Sequence, residues 1–283
     1  TDPVYFSHNP EWMVDVSMKF MDEAAIQNKP FFLYFANTLT HEPVAQDSLF
    51  KFDITQTPKG TLTGVDIPDN TSMPTRNETW AAAQALGFAA TNRFSIAALD
   101  IWMDDALGAL IRYLQKKGIY DETFIIFVND HGMGAKGTLF EQGSRTMQFV
   151  RFPPLFGTNG YVLDDFITSN VDLAAVIFEL SGITVDDEYG LDGQSWIGDV
   201  YERVNGINKE PACCEHRFID MYNSHAIVNQ EWKYIWRATN EMEPDGNPAA
   251  LYPYSTDENQ LYNLDWDPNE QSNLIGDESL SEI

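Results

Sequence analysis

Three features of the sequence predict an α/β fold: a mainly parallel sheet flanked by helices, followed by a smaller α+β subdomain with a short antiparallel sheet. Two apolar runs, Phe31-Phe32-Leu33-Tyr34-Phe35-Ala36 and Phe124-Ile125-Ile126-Phe127-Val128, have the length and composition of strands buried on both faces, as parallel strands are. Helical patterns alternate with these runs. After about residue 199 the texture changes to short strand-like runs joined by polar turns, the pattern of a meander. The expected division is residues 1–198 as the α/β domain and residues 199–283 as the subdomain.

Taken in order, residues 9–27 carry Trp12, Val16, Phe20 and Ala24 at helical intervals, with Pro10 as first helical residue and Lys29-Pro30 as the break. Residues 31–36 are the first strand, and Thr38-Leu39-Thr40-His41-Glu42-Pro43 is the loop beyond its carboxyl end. Residues 44–79, with Pro58, Gly60, Gly64, Pro68 and Pro74, form a long excursion that is functional or decorative rather than core. A single long helix is expected from about 79 to 117, with Phe94, Ala97, Ile101, Leu107, Leu110 and Leu114 on its apolar stripe and Gly118 as its stop. The second buried strand, 124–128, ends abruptly in Asn129-Asp130-His131-Gly132. Residues 148–152 form another strand, closed by Pro153-Pro154, and 171–180 a helix with Asp172 in its first turn. In the subdomain, 218–222, 224–228, 232–237 and 260–264 read as strands and 241–248 as a loop.

At 283 residues the chain can bury one large core, or a core plus a satellite. A hydrophobic content of 43% and an aromatic content of 13% belong to a folded globule. The formal charge of −26 would repel nucleic acid and anionic membranes, so no nucleic-acid partner is expected. No stretch approaches the roughly 20 apolar residues of a membrane span. An anionic substrate would need local positive charge from a metal, a lysine or a histidine. Thr1-Asp2-Pro3-Val4 lacks an initiator Met and a signal peptide, so an internal start is expected. Cys213 and Cys214 are adjacent; a vicinal disulfide is strained, so separate partners or free thiols are expected. Two glycosylation sequons, at Asn70 and Asn77, share one polar stretch read as a surface loop, which points to the secretory pathway.

Open α/β sheets gather ligands in the crevice beyond the carboxyl ends of their strands. The sequence places His41 after its first apolar run, and Asp130, His131 and the flexible Gly132 after its second. A carboxylate and an imidazole there suit a metal, and Lys136, close behind, can neutralise an anion. Each of these residues alone is an ordinary solvated or structural group. Their order and their place at strand ends single them out. Arg145 and Asp100 are read as structural.

These residues occur in a pattern that resembles the type I sulfatases of the alkaline-phosphatase superfamily. Lys29-Pro30-Phe31-Phe32-Leu33-Tyr34-Phe35 leading to His41-Glu42-Pro43 is similar to a family strand and its Pro-His-x-Pro loop, with Thr40 where Pro is common. Leu99-Asp100, Leu107-Gly108 and Gly118-Ile119-Tyr120-Asp121-Glu122-Thr123 resemble the long helix and the turn before the metal strand. Asn129-Asp130-His131-Gly132 resembles the second metal motif, and Lys136-Gly137-Thr138-Leu139-Phe140-Glu141-Gln142-Gly143-Ser144-Arg145 the lysine segment after it. Leu191-Asp192-Gly193-Gln194-Ser195, Glu231-Trp232-Lys233-Tyr234-Ile235, Leu261-Tyr262-Asn263-Leu264, Asp267-Pro268-Asn269-Glu270 and Asn273-Leu274 resemble later landmarks.

The resemblance implies an alkaline-phosphatase-like fold and a sulfatase that hydrolyses a sulfate monoester. It implies a formylglycine nucleophile, Ca²⁺ as the single divalent cation, and a sulfated small molecule or glycan as substrate. By position, Asp130 and His131 would hold metal, His131 and Lys136 would touch sulfate, and His41 would bind sulfate and assist the leaving group. The resemblance places the family's adjacent Asp pair and its nucleophile in an N-terminal segment; the C/S-x-P-S/A-R motif does not occur in the sequence, and Cys213-Cys214 is followed by Glu215-His216-Arg217. The chain is therefore expected to be the distal part of a sulfatase, inactive alone and partnered by an N-terminal segment or chain, in an extracellular or lysosomal setting. Two alternatives stand beside this: a phosphodiesterase or phosphonate monoester hydrolase of the same superfamily, and a non-catalytic sulfatase-like binding or structural subunit.

Overall fold

The structure, a computed structural model, describes residues 8–41, 45–50, 53–57, 60–64, 68, 71–87, 96–132, 134–164, 166–185, 190–207, 216–222, 224–237 and 251–280. It divides into two compact units, Thr1–Thr123 and Phe124–Ile283.

The first unit is helical. Asn9 opens α1 (Pro10–Ile26) by accepting the Trp12 N–H at 2.8 Å, with Pro10 pre-set for the first turn. The helix is as predicted, but the apolar spacing that predicts it is not the face it buries. Trp12, Val16 and Phe20 are 37%, 42% and 41% exposed, whereas Glu11, Val14, Asp15, Ser17 and Met21 are buried. Buried polar pairing sets this rotation. Arg76 Nε and Nη2 each donate to one Glu11 oxygen at 2.8 Å, and Trp102 Nε1 donates to Glu11 at 3.1 Å. Arg76 also donates to the Ser48 carbonyl at 2.7 Å and lies over the Trp102 ring.

The expected excursion contains α2 (Ala45–Phe50) and a small hairpin of β1 (Gln56–Thr57) and β2 (Gly60–Thr61). The single long helix predicted over 79–117 is two helices among the described residues, α3 (Arg76–Ala85) and α4 (Ile96–Lys117); Phe94 lies outside those residues. A capping box starts α3: Glu78 accepts the Thr75 N–H at 2.8 Å while Thr75 Oγ1 accepts the Glu78 N–H. Gly87, at φ +83°, follows its end in the left-handed conformation that closes helices. Both α1 and α3 pack on α4. The core gathers Leu39, Leu49, Ala83, Ala98, Leu99 and Trp102.

Residues 31–36, predicted as a buried strand, form no ladder among the described residues. Their exposure alternates, with Phe32 63% and Tyr34 80% exposed. A strand is completed by its neighbour's hydrogen bonds, and no described segment supplies them here.

In the second unit, β3 (Ile125–Val128) pairs antiparallel with β4 (Gln148–Arg151), Ile125 opposite Arg151 and Val128 opposite Gln148. Both strands are where the sequence predicts them. The parallel pairing is not seen: every ladder among the described residues is antiparallel. Nor is β3 buried on both faces; all four of its residues are half-buried. Phe124, Ile126, Val150 and Phe152 pack on Phe156, Val176, Trp196 and Ile197, while Phe127 and Phe149 pair at 6.0 Å with Phe149 60% exposed.

The helices around that cluster are α6 (Pro153–Phe156), α7 (Asp172–Leu180) and α8 (Ile197–Val204), with the short α5 (Glu141–Ser144) before β4. Asp172, fully buried, accepts the N–H groups of Ser169 and Gln194 and pairs with Arg217 at 2.7 Å, joining three segments. Gly193 must be glycine, since a Cβ there would sit 2.2 Å from the Val171 carbonyl oxygen. The meander is an antiparallel sheet in the order β5 (Arg217–Met221), β6 (Ser224–Val228), β7 (Trp232–Arg237), β8 (Asn259–Asn263), as the sequence predicts. The expected loop 241–248 and Cys213-Cys214 lie outside the described residues. No described helix is long and apolar enough to cross a membrane.

Candidate active site

The strand end at Asp130 turns into a closed loop that returns through α5 to β4. Close backbone contact shuts it. The Gly132 N–H donates to the Gly143 carbonyl at 2.9 Å, and a Cβ at Gly132 would lie 2.2 Å from the Gln142 carbonyl oxygen. At Gly143 a Cβ would lie 2.2 Å from the Ala135 carbonyl oxygen. The loop therefore depends on glycine at both contact points.

At its start, Asp130 is 85% exposed and its Oδ1 accepts the His131 backbone N–H at 3.0 Å. His131 Nδ1 lies 2.7 Å from its neighbour's carbonyl, Gly132 O, and so acts as donor. This leaves Nε2 facing Asp130 Oδ2 at 3.3 Å. A backbone-anchored imidazole beside a carboxylate is a recurrent way to present a metal ligand. Next to it, Asn129 Oδ1 is buried without a hydrogen-bond partner.

Lys136 stands exposed on the turn that follows. That turn is fastened by Thr138, whose N–H and Oγ1 reach the Ala135 carbonyl at 3.1 and 2.8 Å. Ala135, Leu139 and Phe140 sink against Ala226, Ile235 and Tyr262 of the four-stranded sheet and against Tyr252, which precedes β8. Phe140 stacks on Tyr252 at 3.9 Å. Burial and the Glu270 charge push the Tyr252 hydroxyl up to about 12 and Tyr262 higher still, so both rings stay neutral.

The structure thus brings Asp130 and His131 into contact and sets Lys136 on the same loop, within the second unit. His41 belongs to the first unit. Its side chain is exposed, and its N–H donates to the Thr38 carbonyl at 3.0 Å. Arg145, read as structural, lies 3.4 Å from Glu141. Asn77 is exposed but sits in the first turn of α3 rather than in a loop, and Thr79 of its sequon is buried against Asp105 at 2.6 Å. The capping pair Thr75 and Glu78, overlooked at the sequence level, explains why the helix starts there. Asn70 lies outside the described residues. Among the described residues, no cluster of three or more His, Cys, Asp or Glu side chains converges on one point.

Two groups of supporting residues escaped the sequence reading. His8 is buried, with Nδ1 2.8 Å from Thr38 Oγ1 in the His41 loop; burial, and next the charge of His41, hold it down to about 4. Lys233, Glu270 and Glu141 form a buried charge cluster under the Lys136 loop. A signal for Lys233 existed: it shares strand parity with the inward Ile235. Burial pushes the Glu270 carboxyl up, and Lys233 opposes that shift.

The profile of the family described as Sulfatase matches residues 4–183. The chain is 26% identical over 182 residues to the choline-sulfatase of Rhizobium meliloti (strain 1021), covering 61% of this chain and 31% of that protein. It is 27% identical over 189 residues to the arylsulfatase of Clostridium perfringens (strain 13 / Type A), covering 64% and 35%. It therefore spans about a third of the length of the curated relatives it matches. In three dimensions it is similar to the structure of BT4656 in complex with its substrate D-glucosamine-2-N,6-O-disulfate, with a TM-score of 0.64 and 17% identity over 98% of this chain and 67% of that one. The fold is the alkaline-phosphatase-like α/β type of these structures, with its helices and antiparallel sheets in the described residues. The chain belongs to the sulfatase family.

Proposed function

We propose that this chain carries the distal half of a sulfatase active site and takes part in hydrolysing a sulfate monoester. The observation that carries the reading is the closed loop at the end of β3, which presents Asp130, His131 and Lys136 inside the region matched to the family. The donor set fits a divalent cation in part. Asp130 offers a hard, exposed carboxylate, His131 an anchored imidazole, and Asn129 an oxygen without a partner. Calcium needs about six to eight oxygen ligands, so further ligands must come from elsewhere.

In this reading Asp130 and His131 hold the cation, which would polarise the sulfate when bound. Lys136 donates to a sulfate oxygen and offsets the charge that gathers as the S–O bond breaks. His41 binds sulfate and gives a proton to the departing oxygen. The nucleophile, a formylglycine, is assigned to an N-terminal segment or chain of the same sulfatase, so this chain alone would be inactive. The substrate is a sulfated small molecule or glycan; choline-sulfatase and the glucosamine disulfate complex are the similar proteins that motivate those two classes. The −26 charge makes this local positive site necessary for any anionic substrate. A subdomain boundary near residue 199, glycosylation at Asn70 and Asn77, and an extracellular or lysosomal setting complete the proposal.

The test is turnover of an aryl sulfate and of a sulfated glucosamine by the protein with its nucleophile segment. Asp130→Ala should abolish turnover and weaken Ca²⁺ binding measured calorimetrically; Lys136→Ala should mainly lower kcat. Unchanged calcium affinity and turnover in Asp130→Ala would remove this loop from the active site. Hydrolysis of a phosphodiester or phosphonate ester in preference to a sulfate ester would favour the phosphodiesterase-type reading, and binding without turnover the non-catalytic one.

A further inference from the structure

The geometry points to Lys233 and Glu270 as positioning residues for the active-site loop, holding the Lys136 turn in register with the Asp130–His131 strand end. This rests on the role given to Lys136 above, but the contacts themselves are independent of it.

Lys233 comes from β7 and Glu270 from the turn after β8, and both side chains are fully buried. Every contact they make into the loop falls on residues 139–141. Lys233 Nζ donates to the Leu139 carbonyl at 3.1 Å, pairs with Glu141 at 2.6 Å and with Glu270 Oε1 at 2.9 Å. The other Glu270 oxygen accepts the Glu141 backbone N–H at 2.7 Å. An ammonium has three donors, and here each has an acceptor. Such an arrangement is directional: displacing the loop would leave two donors of the buried Lys233 ammonium and one oxygen of the buried Glu270 without their partners, which is strongly disfavoured.

The apolar seat of Leu139 and Phe140 differs in kind. Hydrophobic contact is not directional and tolerates sliding, so it can hold the loop down without fixing where along the sheet it lies. The charge cluster supplies that register, and the Gly132–Gly143 hydrogen bond passes it to the strand end.

Glu270 gives a second, independent sign. Its φ is +54°, a conformation that side chains other than glycine rarely adopt. A glycine would be relaxed there. The carboxylate is present at a backbone position that opposes it, as expected where the side chain has a specific task.

The experiment uses Lys233→Met, which keeps the stem and removes the charge, and Glu270→Gln, the milder variant should the first fail to fold. Hydrogen exchange is read in this chain, and turnover in the protein with its nucleophile segment. Residues 134–145 should exchange at least about tenfold faster in either variant while β5 and β6 keep parental rates, and kcat should fall by about tenfold or more. Combined with Lys136→Ala, either substitution should cause little further loss, because a misplaced lysine and an absent one are equivalent. Losses that multiply with Lys136→Ala, or a loop with parental exchange in both variants, would overturn the assignment. A parent without turnover would sink the sulfatase reading alone, with the exchange data still deciding the clamp.

Discussion

Between Thr38 and His41 the first unit carries its candidate histidine on a turn closed by one backbone hydrogen bond, with Leu39 in the core and Thr38 against His8. The loop from Asp130 to Arg145 in the second unit is held by two glycine contacts, an apolar seat and a buried charge cluster supplied by residues distant in sequence. The first fastening leaves the histidine exposed at the end of a short turn. The second leaves Asp130 and Lys136 exposed on a frame with little freedom. Two groups offered to solvent can thus rest on very different amounts of structure, and perturbations should separate them.

The largest expected effect is at Glu270. Glu270→Ala leaves a buried ammonium short of an acceptor and should destabilise the second unit by about 3 kcal/mol or more, read from urea midpoints. A change below about 1 kcal/mol would mean that the apolar seat alone holds the loop. Next comes Gly143→Ala, whose new methyl collides with the Ala135 carbonyl and should cost about 1–3 kcal/mol. Hydrogen exchange should show that loss confined to residues 134–145 and absent from the His41 loop.

The His8 contact should add a pH dependence to the first unit. Unfolded, His8 takes a proton near 6.5; folded, burial delays protonation to about 4. Stability is therefore present above about pH 6.5 and lost as pH falls towards 4, by at most about 1.4 kcal/mol per pH unit. His8→Gln should flatten that slope in melting curves, and parallel slopes in the two proteins would exclude His8 as the cause. The smallest effect is at the α3 cap: Thr75→Ala should destabilise by about 1 kcal/mol, seen as a lower Tm, without altering either loop.

Much of this was legible in the sequence. Strand alternation and polar turns located β5 to β8 within a residue or so, and Asp130-His131-Gly132 stood at a strand end as read. Pairing was not legible. Residues 31–36 and β3 have the composition of parallel strands, but composition says nothing about which neighbour supplies hydrogen bonds, and the described ladders are antiparallel. Helix breaks were missed where a single Gly87 outweighed a long apolar period. The rotation of α1 was missed because Glu11 turns inward to Arg76, a partner that periodicity cannot reveal. The charge cluster under the lysine loop was hidden for the same reason: its members lie on three separate segments.

The outward ridge of Trp12, Val16 and Phe20, with Phe32 and Tyr34 also uncovered, has a consequence for handling the isolated chain. Each copy bears a formal −26, and in dilute buffer that common sign keeps greasy faces on different molecules from meeting. Physiological salt shortens the reach of such repulsion to about 8 Å. Purified alone, the chain should stay clear in weak buffer and scatter light as sodium chloride is raised.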